Sequence, residues 1–173
     1  MAAAHHWAFG YASLMWNPGF EYTEARPAQV FGYHRALCVY SFLYRGTHEQ
    51  PGIVAGLRPG GSCRGMAFKV PTANWAETEK YLLDREMVYG VYIPRWMTAE
   101  IGGQKVNVYG FCANPENEQY AGDLPVDQLA DLVRNGQGVS GTGTEYLENV
   151  LAGLAKLGIR DRKLEKVLDL ARS

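Results

Sequence analysis

A small α+β domain, a mixed β-barrel with flanking helices, is the fold class this sequence predicts, and three observations carry it. Of its eleven Tyr, six Phe and four Trp, only Tyr146 lies beyond residue 121 of the 173. Before that point apolar residues alternate at period two between glycine-rich turns, the pattern of short half-buried strands. Beyond it the spacing becomes that of amphipathic helices with capping signals.

Taken in order, Trp7, Phe9 and Tyr11 alternate and predict the first strand, and Leu37, Val39 and Ser41 repeat the pattern in an aromatic-rich run. Two hairpins are expected. One joins residues 53–57 to 65–70 through Arg58-Pro59-Gly60-Gly61, and the other joins 91–98 to 105–112 through Gly102-Gly103. Several short antiparallel strands favour closure into a barrel, because closure removes exposed edges. Between the hairpins Thr72 or Asn74 is expected to cap a helix through Trp75, Leu82 and Leu83 to about Met87. In the tail, a helix over 126–134 is expected to stop at Asn135-Gly136 in the left-handed conformation. Thr142-Gly143-Thr144-Glu145 reads as a capping box before a helix over 146–157, Gly158 ends it, and a last helix covers 162–171. No repeat or linker divides the chain, so residues 1–173 are expected to form a single domain.

Composition narrows the function. Seventeen Lys and Arg against eighteen Asp and Glu leave a formal charge of −1, which argues against nucleic acid or an anionic membrane as partner. Apolar residues at 47% and charged residues at 20% exclude disorder. Cys38, Cys63 and Cys112 form no C-x-x-C pair and are odd in number, so the chain reads as a reduced, cytoplasmic protein. No run approaches the ~20 apolar residues of a membrane span. The N-terminus lacks the basic and apolar regions of a leader peptide.

Two segments can carry chemistry. In Phe9-Gly10-Tyr11-Ala12-Ser13-Leu14 an aromatic strand runs into a turn of small residues, where backbone N–H groups can approach an anionic or oxyanion guest. The same residues also suit a strand end that merely needs small side chains. The second is Glu86. Trp75, Glu79, Leu82 and Glu86 share one helical face, so Glu86 points toward the core near a helix C-terminus. Burial and the helix dipole both raise a carboxylate pKa toward the range of a general base. The plain alternative is a solvated glutamate paired with Arg85 or Lys80. His5 and His6 have no third ligand at metal spacing and read as a flexible terminus, and His34 and His48 read as structural. Glu100, Glu116 and Glu118 read as surface charges in turns, and Ser13 as a nucleophile would need a positioned base. With no P-loop, G-x-G-x-x-G, H-E-x-x-H or cysteine cluster, no metal and no cofactor is expected.

Together these segments resemble the ChaC family of γ-glutamylcyclotransferases, its glutathione-specific branch. The matching residues begin with Phe9-Gly10-Tyr11-Ala12-Ser13-Leu14-Met15-Trp16-Asn17-Pro18-Gly19-Phe20 and Gly32-Tyr33-His34-Arg35. They continue through Arg45-Gly46-Thr47, Pro51-Gly52, Gly60-Gly61-Ser62-Cys63-Arg64-Gly65 and Tyr81-Leu82-Leu83-Asp84-Arg85-Glu86-Met87. Asn114-Pro115, Tyr120-Ala121-Gly122, Ser140-Gly141 and Thr144-Glu145-Tyr146-Leu147 complete a collinear match from about residue 7 to the last helices.

The resemblance implies a γ-glutamylcyclotransferase-like fold and an enzyme of lyase type that cleaves glutathione to 5-oxoproline and Cys-Gly with no cofactor. It implies substrate binding on Phe9, Gly10, Tyr11, Ala12, Ser13 and Leu14, catalysis on Glu86, and Tyr146 as a pocket-lining residue. The implied partner is a small molecule, with no nucleic acid and no membrane, and the oligomeric state stays open. Two departures bear on the site. Ala12 stands where the family has Gly, which adds strain if the position needs positive φ, and Gly143 stands where Asn commonly precedes Thr-Glu-Tyr-Leu. Three alternatives follow: a cyclotransferase for other γ-glutamyl amino acids or amines, a catalytically weakened γ-glutamyl-ligand binding or regulatory protein, and a serine acyl hydrolase using Ser13.

Overall fold

The computed structural model describes residues 4–173; the N-terminal stretch read for a leader peptide falls in part on residues 1–3, outside the described residues. The elements run β1 His5–Gly10, α1 Ser13–Trp16, β2 Glu24–Ser41, β3 Gly52–Pro71, α2 Thr72–Glu86, β4 Tyr92–Ile101 and β5 Gln104–Ala113. Then come α3 Val126–Asn135, β6 Gln137–Gly138, β7 Gly141–Thr142, α4 Gly143–Lys156 and α5 Arg162–Arg172. The backbone divides into two compact units: the described residues up to Arg35 with Leu57–Asn114, and Ala36–Gly56 with Pro115–Ser173.

Five strands close the expected barrel in the order β1-β3-β2-β4-β5. β1 pairs antiparallel with β3, setting Phe9 opposite Ala67 and Gly10 opposite Met66, and parallel with β5, setting Trp7 opposite Val108. With neighbours on both sides β1 is a central strand, and both its faces are buried: Ala8 is 1% exposed and Phe9 0%. Ala8 faces the helix. It joins Leu14, Val70, Tyr109 and Phe111 in a cluster that receives Trp75 and Leu82 of α2, so the predicted apolar stripe of that helix is the one that docks. Much of the aromatic excess is packing of this kind, with Trp75, Trp96 and Tyr109 in mutual contact at centroid distances of 5.1–5.5 Å.

The second hairpin forms as expected. Ile101 faces Gln104 across Gly102 (φ 57°) and Gly103 (φ 82°), the two positive-φ positions that a tight hairpin turn demands. The first does not form. Arg58-Pro59-Gly60-Gly61 lies inside the continuous twenty-residue β3, where Gly60 and Gly61 have positive φ without reversing the chain. Glycine pairs serve bulges as well as turns, and here the neighbouring β2 holds the strand on course. His34 Nδ1 lies 3.0 Å from the Gly60 carbonyl, and Gln29 donates to the Ser62 hydroxyl. Other local readings also change. Neither Thr72 nor Asn74 caps α2, whose N-cap is Pro71. Glu100 lies in β4 opposite Lys105 rather than in a turn. His5 and His6 belong to β1, with the His6 ring 5.0 Å from that of Trp75.

In the second unit α3, α4 and α5 pack together, and Leu129, Val133, Leu147, Val150, Leu154, Val167 and Leu168 on them are buried. Thr142 accepts from the Glu145 N–H at 3.1 Å, as the capping box predicts, and Asp161 caps α5 through the Leu164 N–H. Gly158 ends α4 at φ 71°. Gly136 does not: its φ is −73°, and glycine is needed because a Cβ would strike the Gly52 backbone at 2.8 Å. Gly143 is constrained in the same way, since a Cβ there would meet Val133 Cα of α3 at 3.0 Å. The family's asparagine therefore does not fit this helix spacing. Gly143→Ala and Gly143→Asn are each expected to destabilise the protein by about 1–3 kcal/mol, read as a lower urea midpoint at unchanged m-value.

Candidate active site

The site is built where β1 ends. Gly10 lets the chain turn tightly into α1, because a Cβ there would fall 2.7 Å from Leu14 Cβ. The side chains of Phe9, Tyr11, Ala12 and Leu14 are all buried, at 0–8% exposure. What this segment can offer a ligand is therefore backbone, together with the partly exposed Ser13. The first N–H groups of a helix have no acceptor within it, which suits them to an anionic guest. Two contacts fix the segment. The Tyr11 hydroxyl donates to the Phe111 carbonyl at 2.8 Å, and Arg35 Nε donates to the Tyr11 carbonyl at 2.7 Å. Ala12 has φ −146°, and no described non-glycine residue has positive φ, so the strain expected from replacing the family glycine does not arise.

Glu86 is the last residue of α2. Its side chain is 17% exposed, and its carboxylate lies 3.4 Å from Nε of Arg85, whose side chain is equally shielded. Burial raises its pKa above the ordinary carboxylate value, and the Arg85 charge pulls against that without overcoming it. The alternatives read from the sequence are thus partly merged. Arg85 is a partner, Lys80 is not, since Lys80 pairs with Asp84 at 2.9 Å, and Glu86 is still desolvated.

Arg85 also reaches the segment that follows β1. Its Nη2 donates to the Ser13 hydroxyl at 3.1 Å, and its Nη1 donates to the Asn17 carbonyl, to the Pro18 carbonyl at 3.1 Å and to the Tyr81 hydroxyl at 3.2 Å. The carboxylate and the loop are therefore brought together through one guanidinium. Because the group beside Ser13 Oγ is a guanidinium, which cannot accept a proton, the serine hydrolase reading loses its base. The sequence flagged Arg85 only as a possible partner of Glu86. Its reach to residues 13–18 had no local signal.

Tyr146 belongs to the second unit, in α4. Its hydroxyl accepts from the Ala55 N–H at 2.9 Å, and Arg45 lies over its ring. Arg45 also donates to the Thr142 carbonyl and stands 3.7 Å from Glu145. Arg35 and Arg45 thus support backbone and rings. Among the described residues no group of three His, Cys, Asp or Glu could hold a metal.

A family model described as ChaC-like protein matches residues 6–173. The chain belongs to the ChaC family. This ChaC-family chain is similar to the glutathione-specific γ-glutamylcyclotransferase of Escherichia coli (strain K12), at 36% identity over 163 residues, 94% of this chain and 71% of that protein. It is 32% identical over 170 residues to glutathione-specific γ-glutamylcyclotransferase 1 of Rattus norvegicus, covering 94% and 77%. Its fold matches the crystal structure of a selenomethionine-labelled γ-glutamyl cyclotransferase specific to glutathione from yeast. The TM-score is 0.89 over 98% of this chain and 96% of that one, at 22% identity.

The raised pKa has a stability consequence with a definite sign. A carboxyl that binds its proton more tightly folded than unfolded favours the folded state at low pH, and that contribution is lost as pH rises through the folded pKa. Glu86→Gln, which stays neutral, is expected to melt at or above the wild-type temperature at pH 8. The difference should shrink as pH falls toward the ordinary carboxylate range, as thermal melts across pH would record.

Proposed function

We propose that this ChaC-family chain is a γ-glutamylcyclotransferase that cleaves glutathione to 5-oxoproline and Cys-Gly without a cofactor. The observation that carries the reading is a largely buried, raised-pKa carboxylate at Glu86 linked by one guanidinium to the small-residue turn at Phe9–Leu14. The names of its relatives support the substrate.

The substrate brings its own nucleophile. Its α-amine attacks its own γ-carbonyl carbon, a C–N bond forms, and the five-membered ring closes. Well-oriented intramolecular attack is worth roughly 7 kcal/mol or more. Glu86 takes the proton released from the attacking nitrogen and returns it to the departing cysteinyl nitrogen as the γ-amide bond breaks. Electrons and protons balance, and no water is consumed. Backbone N–H groups of the Tyr11–Leu14 turn hold the glutamyl carboxylate or the oxyanion that develops on the γ-carbonyl. A raised pKa suits both halves of the proton transfer, because the same carboxyl must accept and then donate near neutrality. Tyr146 is kept as a pocket-lining residue on the motif match alone.

Both units are read as one catalytic domain, since a single family model runs through them. The protein is read as cytoplasmic, in keeping with three buried cysteines, Cys38, Cys63 and Cys112, that form no C-x-x-C pair. Among the described residues no helix is long and apolar enough to cross a membrane.

Incubation with glutathione and a panel of γ-glutamyl amino acids and amines, followed by 5-oxoproline detection, tests the reading. Turnover is expected to be highest on glutathione. Glu86→Gln is expected to lose at least about 100-fold in kcat while still binding glutathione by calorimetry, and Ser13→Ala to retain turnover. Preference for another γ-glutamyl compound would move the specificity, and binding without 5-oxoproline would favour the ligand-binding alternative.

A further inference from the structure

We propose that Arg85 is a positioning residue for the reaction, because one guanidinium both braces the Ser13–Pro18 segment against the end of α2 and stands beside the Glu86 carboxylate. The inference rests on the reading of Glu86 as the acid/base.

Neighbouring residues on a helix project in different directions and do not ordinarily face each other. Arg85 and Glu86 are adjacent, yet their charged groups approach to 3.4 Å. The Arg85 side chain reaches its position because its fork is anchored elsewhere. Nη1 holds the carbonyls of Asn17 and Pro18 and the hydroxyl of Tyr81, and Nη2 holds the hydroxyl of Ser13. Nε is left toward Glu86. A planar fork with five donors can do this, whereas an ammonium cannot span the same set. Tyr81 strengthens the brace. Its hydroxyl packs on Gly19, whose φ of 76° leaves no room or conformation for a side chain.

The charge has a separate role. Burial lifts the Glu86 pKa and Arg85 opposes it. Of the other charged groups of α2, Lys80 pairs with Asp84, Glu79 acts on Tyr109 and Glu77 is exposed, and Arg85 is the charge that acts on Glu86. The α1 segment presents to Arg85 only the Ser13 hydroxyl and the Asn17 and Pro18 carbonyls, none of them charged. The apolar residues of the core cluster, including Leu82 and its neighbour Leu83, bring no charge either. Without Arg85, burial acts unopposed and the carboxyl holds its proton to higher pH.

Steady-state 5-oxoproline formation across pH by the full chain separates the two roles. Arg85→Lys keeps the charge and loses the fork; Arg85→Met loses both. Both variants are expected to lose on the order of 10–100-fold in kcat/KM from the misplaced loop. Only Arg85→Met is expected to move the acid limb of kcat/KM to higher pH. Wild-type kcat/KM in Arg85→Lys overturns the bracing role, and an unmoved acid limb in Arg85→Met overturns the electrostatic one. If circular dichroism shows Arg85→Met unfolded, Arg85→Gln, which keeps a donor without charge, reads the acid limb in its place. Full activity in Glu86→Gln sinks the reading of the base itself. An inactive Glu86→Gln beside an unmoved acid limb in the Arg85 variants sinks only this inference.

Discussion

The contest between burial and one neighbouring cation decides what Glu86 can do. A carboxylate at the end of a helix, shielded from water by the packing that docks the helix, is pushed toward its neutral form. Arg85 restrains that push without cancelling it, since at 3.4 Å its Nε is an ion-pair partner rather than a close hydrogen-bond donor and its other nitrogens are committed to Ser13, Asn17, Pro18 and Tyr81. The outcome is a carboxyl that holds its proton more tightly than an exposed glutamate does, as the proposed acid/base role requires.

Everything around this pair serves to hold it still. The barrel makes β1 a central strand, and a central strand delivers its C-terminal turn with little freedom. Tyr11 is tied at both ends, by its hydroxyl to Phe111 and by its carbonyl to Arg35. Trp75 and Leu82 seat α2 on the same strand, through Ala8. A loop and a carboxylate tied through one guanidinium suit the proposed substrate with its built-in nucleophile, for which the remaining work is orientation and proton transfer.

Much of this was legible in the sequence because it rests on local signals. The period-two strands, the hairpin at Gly102-Gly103, the Thr142 cap, the Gly158 stop and the apolar stripe of α2 all declare themselves within a few residues. The errors came where a distant neighbour overrides a local cue. Gly60-Gly61 reads as a turn, but β2 keeps the strand straight on. Gly136 reads as a left-handed stop, but the close approach of the Arg45 carbonyl and the Gly52 backbone is what demands glycine there. Ala12 reads as a strained substitution if its φ is positive, and its φ of −146° is not. Arg85 shows the same limit from the other side, because its importance lies in contacts with residues sixty-seven to seventy-two positions away.

The central claim is that Glu86 carries an elevated carboxyl pKa in the folded protein, and direct titration tests it without reference to any substrate. Protein labelled with ¹³C at the glutamate δ-carbon would be followed by NMR across pH, with Glu86→Gln identifying the resonance. The account predicts one glutamate titrating above the ordinary carboxylate range and missing from the variant. Titration of Glu86 together with the exposed glutamates would contradict it.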